Sequence, residues 1–185
     1  MDAVTKKKLL IWIAIAAGAL LFIALLCFMA FVGQFNTYRD NPNGFTIKFP
    51  RRWQVVSNPE PGGAVAFISQ KENAMDRFRE NVNIAIQDVP PDVATLKSFS
   101  DQILLQMSKV FGNVKAVRKK NVTFGGRPGY MVQFSVDKPD KIQILNVWTI
   151  KGDKAYILTY MALTDKYKKY LPLAGHMIKT FKFKS

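Results

Sequence analysis

Residues 142–163 read Ile142-Gln143-Ile144-Leu145-Asn146-Val147-Trp148-Thr149-Ile150-Lys151-Gly152-Asp153-Lys154-Ala155-Tyr156-Ile157-Leu158-Thr159-Tyr160-Met161-Ala162-Leu163. Two strand-length runs, Ile142 to Ile150 and Tyr156 to Leu163, flank the turn dipeptide Gly152-Asp153, so they pair antiparallel. The second run is apolar on both faces, with Ile157 and Met161 opposite Tyr156, Leu158 and Tyr160. A strand of that kind is central and covered on both sides.

Working outward, Tyr130 to Val136 is a third strand, entered from the turn Gly125-Gly126-Arg127-Pro128-Gly129. Before it, Leu96, Phe99, Ile103, Met107 and Val110 recur at helical spacing, with Thr95 as cap and Gly112-Asn113 as stop. Val82, Ile84 and Ile86 alternate with polar or small residues, as in a half-buried strand. Trp53 to Val56 and Ala64 to Ile68 are shorter strands. Phe45, Ile47 and Phe49 alternate up to Pro50, and Asn43–Trp53 is expected to supply the first strand pair, with Phe45, Ile47, Phe49 and Trp53 in the core. Downstream, Tyr170, Leu171, Ala174, Ile178 and Phe181 mark a second helix beginning near Leu171, with Pro172 in its first turn. Hairpin-linked strands with two helices to place predict an α+β domain, an α/β/α sandwich about a central antiparallel sheet.

The amino-terminal part is different. Leu9 to Val32 is 24 residues without a charge. As a helix it reaches about 36 Å, against a bilayer core of about 30 Å. Lys6, Lys7 and Lys8 precede it, Trp12 lies near one end, and Phe31, Phe35 and Tyr38 lie toward the other. The run is too long, and ends too apolar, for a cleaved signal. Cys27 lies between Leu26 and Phe28, an unsuitable context for lipidation. The expected organisation is a cytoplasmic tail (1–8), one transmembrane helix (9–33), a short linker (34–44) and an extracytoplasmic domain (45–185), in a bacterial cytoplasmic (inner) membrane.

The chain of 185 residues has one His, one Cys and a net charge of +14. That excludes a His/Cys zinc cluster, a Cys-x-x-Cys redox pair and an internal disulfide. No nucleophile elbow, zinc-protease or phosphate-loop motif occurs. His176 has no nearby Ser. The carboxylates Glu72, Asp76 and Glu80 alternate with Lys71, Arg77 and Arg79, as in a solvated, charge-paired segment. No catalytic residue, metal or cofactor is expected. Without Asp2 and Lys6–Lys8, the 27 basic and 13 acidic residues become 24 and 12, a net +12 for the outer part. Arg51, Arg52, Lys166, Lys168, Lys169, Lys179, Lys182 and Lys184 are the candidate surface for an acidic partner or anionic lipid headgroups, with Asp165 the one acid in sequence range of the lysines. The alternative is a merely solubilising surface. Nucleic acid is not expected, because the compartment is wrong and no aromatic-basic recognition motif is present.

Tyr38-Arg39-Asp40, then Asn43-Gly44-Phe45-Thr46-Ile47-Lys48-Phe49-Pro50 and Trp53, resemble the opening of PsbP-like domains. Asn81-Val82-Asn83-Ile84, Gly126-Arg127-Pro128-Gly129-Tyr130, Ala155-Tyr156-Ile157-Leu158-Thr159-Tyr160 and Ile178-Lys179-Thr180-Phe181-Lys182 continue the resemblance over residues 38–183. It implies the same sandwich fold and a binding, accessory or assembly role. Some members are linked to metal through His and carboxylates; His176 stands alone, so no metal site is carried over. The expectation is a non-catalytic, membrane-anchored subunit docking on a larger membrane complex. The alternative is a stand-alone envelope module for a lipid, polymer or small ligand.

Overall fold

The computed structural model describes residues 3–59, 62–93, 95–111, 116–137 and 140–184. It divides into two compact units, Met1–Phe35 and Asn36–Ser185. The first is the helix α1 (Ala3–Val32), 30 residues long. Its described side chains are Trp12, Ile13 and those of 15–27, and all are exposed. Leu20, Leu21 and Phe22 are 60–73% open, and no face is polar. Among the described residues no helix is long and apolar enough to cross a membrane. The side chains of Leu9 and Val32, the expected limits, lie outside that description.

The second unit holds β1 (Phe35–Asp40), β2 (Phe45–Pro50), β3 (Gln54–Ser57), β4 (Gly63–Ile68), β5 (Asn81–Asp88), a 3-10 turn (Pro91–Val93), α2 (Leu96–Phe111), β6 (Ala116–Phe124), β7 (Arg127–Val136), β8 (Ile142–Lys151), β9 (Lys154–Leu163), α3 (Tyr167–Thr180) and β10 (Lys182–Phe183). Seven strands form an antiparallel sheet in the order β3-β4-β5-β9-β8-β7-β6. The strand β9 lies between β5 and β8, and its two faces feed two cores. Tyr156, Leu158, Tyr160 and Ala162 join Val82, Ile84, Leu145 and Val147 beneath Ala174 and Met177 of α3. Ala155, Ile157 and Met161 face the other way, with Val132, Phe134, Ile144 and Trp148 beneath Phe99 and Met107 of α2. The two-faced apolar pattern of β9 is thus its position between two helical layers. The Thr95 cap forms, since the Ser98 N–H donates to Thr95 Oγ1 at 3.1 Å. The expected stop at Gly112-Asn113 lies outside the described residues.

Several expectations need correction. The sandwich has two sheets, not one central sheet. The strand β2 leaves the large sheet and lies between β1 and β10, with Lys182 opposite Thr46 and Phe183 opposite Phe45. Phe45, Ile47, Phe49 and Trp53 are buried as expected. However, Trp53 sits in a turn, its N–H donating to the Pro50 carbonyl at 2.9 Å. Most of the expected linker is strand β1, because Asp40 is buried, accepts hydrogen bonds from Asn43 and ties the strand to the next turn.

The helix α3 starts at Tyr167 rather than near Leu171, which leaves Pro172 inside it. Packing decides this: the Tyr167 side chain is buried, and its carbonyl accepts the Tyr160 hydroxyl at 2.9 Å. Phe181 is not helical. It is the extended residue that turns the chain into β10, and it stacks on Phe45 and Phe124. The strand β6 escaped the sequence pattern because Arg118, Lys119 and Lys120 interrupt its apolar residues. Among the described strands it pairs with β7 alone, which leaves it at the edge of the sheet, where lysine is favoured. The β6–β7 hairpin turns through Gly125 and Gly126, both at positive φ, where glycine carries no steric penalty.

Candidate interaction surface

The segment 69–80 joins β4 to β5 and is clasped to the start of α3 by ion pairs. Lys166 Nζ lies 3.3 Å from Asp76 Oδ1 and 3.4 Å from Glu72 Oε2. Lys169 Nζ reaches Glu72 Oε1 at 2.6 Å, and the Tyr170 hydroxyl donates to the same oxygen at 2.8 Å. Lys169 and then Tyr170 do most to hold the Glu72 carboxyl down at about 2. The Glu72 N–H, donating to Asp76 Oδ2 at 3.0 Å, does most to lower Asp76.

Beneath the clasp Glu80 is fully buried. Its Oε2 accepts the Ser69 hydroxyl at 3.4 Å, and its Oε1 has no hydrogen-bond partner among the described residues. Burial raises its pKa, and the carboxylates of Asp76 and Glu72 add to that. The sequence reading had this segment charge-paired with its own neighbours. The partners are instead on α3, and Glu80 is not solvated. One signal was present: the alternation of Val82, Ile84 and Ile86, carried one step back, puts Glu80 on the core face.

Because the folded pKa of Glu80 lies above its unfolded value of 4.5, this group's destabilisation is absent well below pH 4.5 and grows as pH rises through the folded value. Glu80→Gln is therefore expected to stabilise the protein by about 1 kcal/mol at pH 7 and by almost nothing at pH 3. Urea denaturation at the two pH values checks this. A loss of stability at pH 7 would mean that the buried charge is fully compensated by Lys166.

The eight cations expected to form one surface are divided by the structure. Lys166 and Lys169 are held by Glu72 and Asp76, so the expectation that only Asp165 could offset them is corrected. Lys184 is half-buried and bonds Asn41 Oδ1. Lys168, Lys179, Lys182, Arg51 and Arg52 are exposed, and none takes part in an ion pair found among the described residues. Arg52 lines a small pocket beside Lys169 and Tyr170, whereas Lys179 and Lys182 lie by a second opening at the carboxyl end of α3. Lys48 acts with Lys179 on His176 and was left out of the candidate surface because it lies in β2. Its N–H donates to Thr180 Oγ1 at 3.2 Å, which places β2 against the end of α3.

His176 lies on α3, half-buried, with its pKa lowered first by burial and then by the charges of Lys48 and Lys179. No group of metal-ligating side chains occurs among the described residues. The arrangement offers charged surface and shallow pockets.

The family is shown by one comparison and the fold by another. The PsbP family model matches residues 33–183, and the chain belongs to that family. Comparison with curated proteins finds no sequence match. Among solved structures, cyanobacterial PsbP (CyanoP) from Synechocystis sp. PCC 6803 is similar at a TM-score of 0.61 and 17% identity, covering 81% of this chain and 92% of that one. The Saccharomyces cerevisiae Ran-binding protein Mog1p is similar at 0.56 and 8%, covering 80% and 95%. LpqN of Mycobacterium tuberculosis, involved in cell envelope biogenesis, is similar at 0.53 and 12%, covering 82% and 91%. Identities this low show a common fold, and fold does not determine the task.

Proposed function

We propose that this protein is a non-catalytic accessory or assembly subunit of a membrane complex. The segment 9–33 spans a bacterial cytoplasmic membrane once, with residues 1–8 in the cytoplasm. The PsbP-like domain docks on extracytoplasmic parts of its partner. The observation that carries this reading is α1, whose described side chains expose apolar surface on every side without a polar stripe, next to a folded domain of strongly positive charge. In water such a helix would be a severe liability, and in lipid it is at home. An extracytoplasmic domain with excess cations is drawn to acidic partner surfaces.

The test is recovery of tagged full-length protein from its own membranes in mild detergent after chemical cross-linking, with mass spectrometry of the products. The protein should resist carbonate extraction, and one membrane complex should be recovered with it. A chain carrying Leu20→Lys, Leu21→Lys and Phe22→Lys should be released by carbonate. Arg51→Glu with Arg52→Glu should reduce partner recovery severalfold at low salt and less at high salt. Full-length protein recovered alone, with a lipid or small molecule bound, would favour a stand-alone envelope module instead. Release of the parent protein by carbonate would remove the anchor.

A further inference from the structure

Both sheets end at an opening of about 490 Å³ that the clasp and the sheet cores do not use. Gly125 and Gly126 of the β6–β7 turn form one wall, and Ile178 and Lys179 of α3 with Lys182 and Phe183 of β10 form the other. The strand β6 is the last of the seven-stranded sheet, and β10 is the last of the three-stranded one. The opening thus lies beside the β6–β7 turn and along β10, which has one side unpaired among the described strands.

We propose that this gap is a docking cleft for an extended acidic segment of a partner protein. The segment runs along the free edge of β10, with carboxylates on Lys179 and Lys182 and an apolar side chain on Ile178 and Phe183. The inference rests on the docking reading above, but not on the membrane anchor.

Three observations select this occupant. First, among the described residues no Asp or Glu lines the cleft, while Lys179 and Lys182 are exposed on its rim. Second, the walls are preset. The Gly125 turn is pressed against β10 so closely that an added Cβ would meet Phe183 at 2.7 Å, whereas the space above Gly126 is open. Phe183 is held from below by Tyr156, with ring centroids 4.8 Å apart, and by Lys151 over its ring at 4.8 Å. A preformed apolar wall spares an incoming segment part of the ordering cost of binding. Third, lysine on an edge strand ordinarily protects it from pairing with other strands. Lys182 repels basic strands and discourages neutral ones, but for an acidic strand the same charge becomes attraction. Strand addition of this kind takes affinity from the main chain and selectivity from the side chains.

The chain provides its own probe. His176 is its single histidine. Burial first, and then the charges of Lys48 and Lys179, lower its pKa, so carboxylates bound beside Lys179 should raise it.

The experiment uses full-length protein in uncharged maltoside micelles, with the imidazole observed by NMR. The probe is a capped peptide of alternating Glu and Phe, compared with the same peptide carrying Lys for Glu and with phosphatidylglycerol vesicles. The acidic peptide should bind and move the His176 titration upward, and the basic peptide should do neither. Lys179→Glu with Lys182→Glu should weaken peptide binding by about tenfold or more, and Lys168→Glu, near the other end of α3, should change it by less than about twofold. If circular dichroism shows the double reversal misfolded, Lys179→Gln with Lys182→Gln replaces it, and the weakening should still exceed about threefold. Equal binding by parent and variant would overturn the proposal. So would vesicle binding that depends on these two lysines while the peptide fails to bind, which would assign the cleft to lipid. A cleft that binds the peptide while no partner is recovered from native membranes would sink the complex-subunit reading but not the cleft.

Discussion

Trp148→Ala is expected to lower the unfolding free energy by about 4 kcal/mol, in the range for truncating a fully buried aromatic. Trp148 is fully buried under α2, next to Val132, Phe134 and Ile144. Its Nε1 donates to Ser100 Oγ at 2.9 Å, and that hydroxyl donates in turn to the Leu96 carbonyl at 2.6 Å. Truncation therefore opens a cavity and removes the hydrogen bond that ties the helix to the sheet. Trp148→Phe keeps most of the volume and loses the bond, so it should cost about half as much. Denaturant midpoints measured by circular dichroism check both. An unchanged midpoint in the Ala variant would mean that α2 does not pack on β8 as described.

Lys166→Met is expected to cost about 1–2 kcal/mol at neutral pH. Removing one member of a largely buried ion pair leaves the others uncompensated. Here the group that loses its cation is Asp76, which is buried, with Glu80 beneath it, while Glu72 keeps Lys169 and Tyr170. The side chain of Lys166 is only 19% exposed, so water screens the pair poorly.

The pH dependence adds a second readout. Glu72 has a folded pKa of about 2 against an unfolded 4.5, so its contribution is complete above pH 4.5 and is lost as pH falls toward 2. Lys169 and Tyr170 sustain most of that depression and remain in the Lys166→Met variant. The variant should therefore keep an acid limb, with reduced amplitude, and show its largest loss of stability at neutral pH. If stability at neutral pH is unchanged and the acid limb is intact, the clasp is a surface ornament.

The central strand was legible because it needs only local information. Tyr156, Leu158 and Tyr160 on one face and Ile157 and Met161 on the other admit no exposed side, and Gly152-Asp153 enforces the hairpin to β8. Val82, Ile84 and Ile86 declared the buried face of β5 for the same reason, and Thr95 declared the start of α2. Family membership was also readable, from short aromatic and glycine motifs in the right order, and the family match covers residues 33–183. The apolar run from Leu9 to Val32 was legible as an uninterrupted helix, and α1 covers it.

What escaped depends on residues far apart in the chain. The strand β10 is two residues long and carries no pattern of its own, and only Thr46 and Phe45 opposite it make it a strand. Its pairing splits the sheet in two and creates the cleft beside Gly125. The lysines around α3 looked like one field because a sequence shows charges without their partners. Lys166 meets Asp76 across 90 residues and Lys169 meets Glu72 across 97, so two of the cations belong to a clasp. Coulomb attraction at these distances depends on separation in space and on desolvation, neither of which is encoded at the position itself. Composition and periodicity thus determined the layers, the apolar helix and the excess of charge, and the tertiary structure alone decided which charges were spent within the fold.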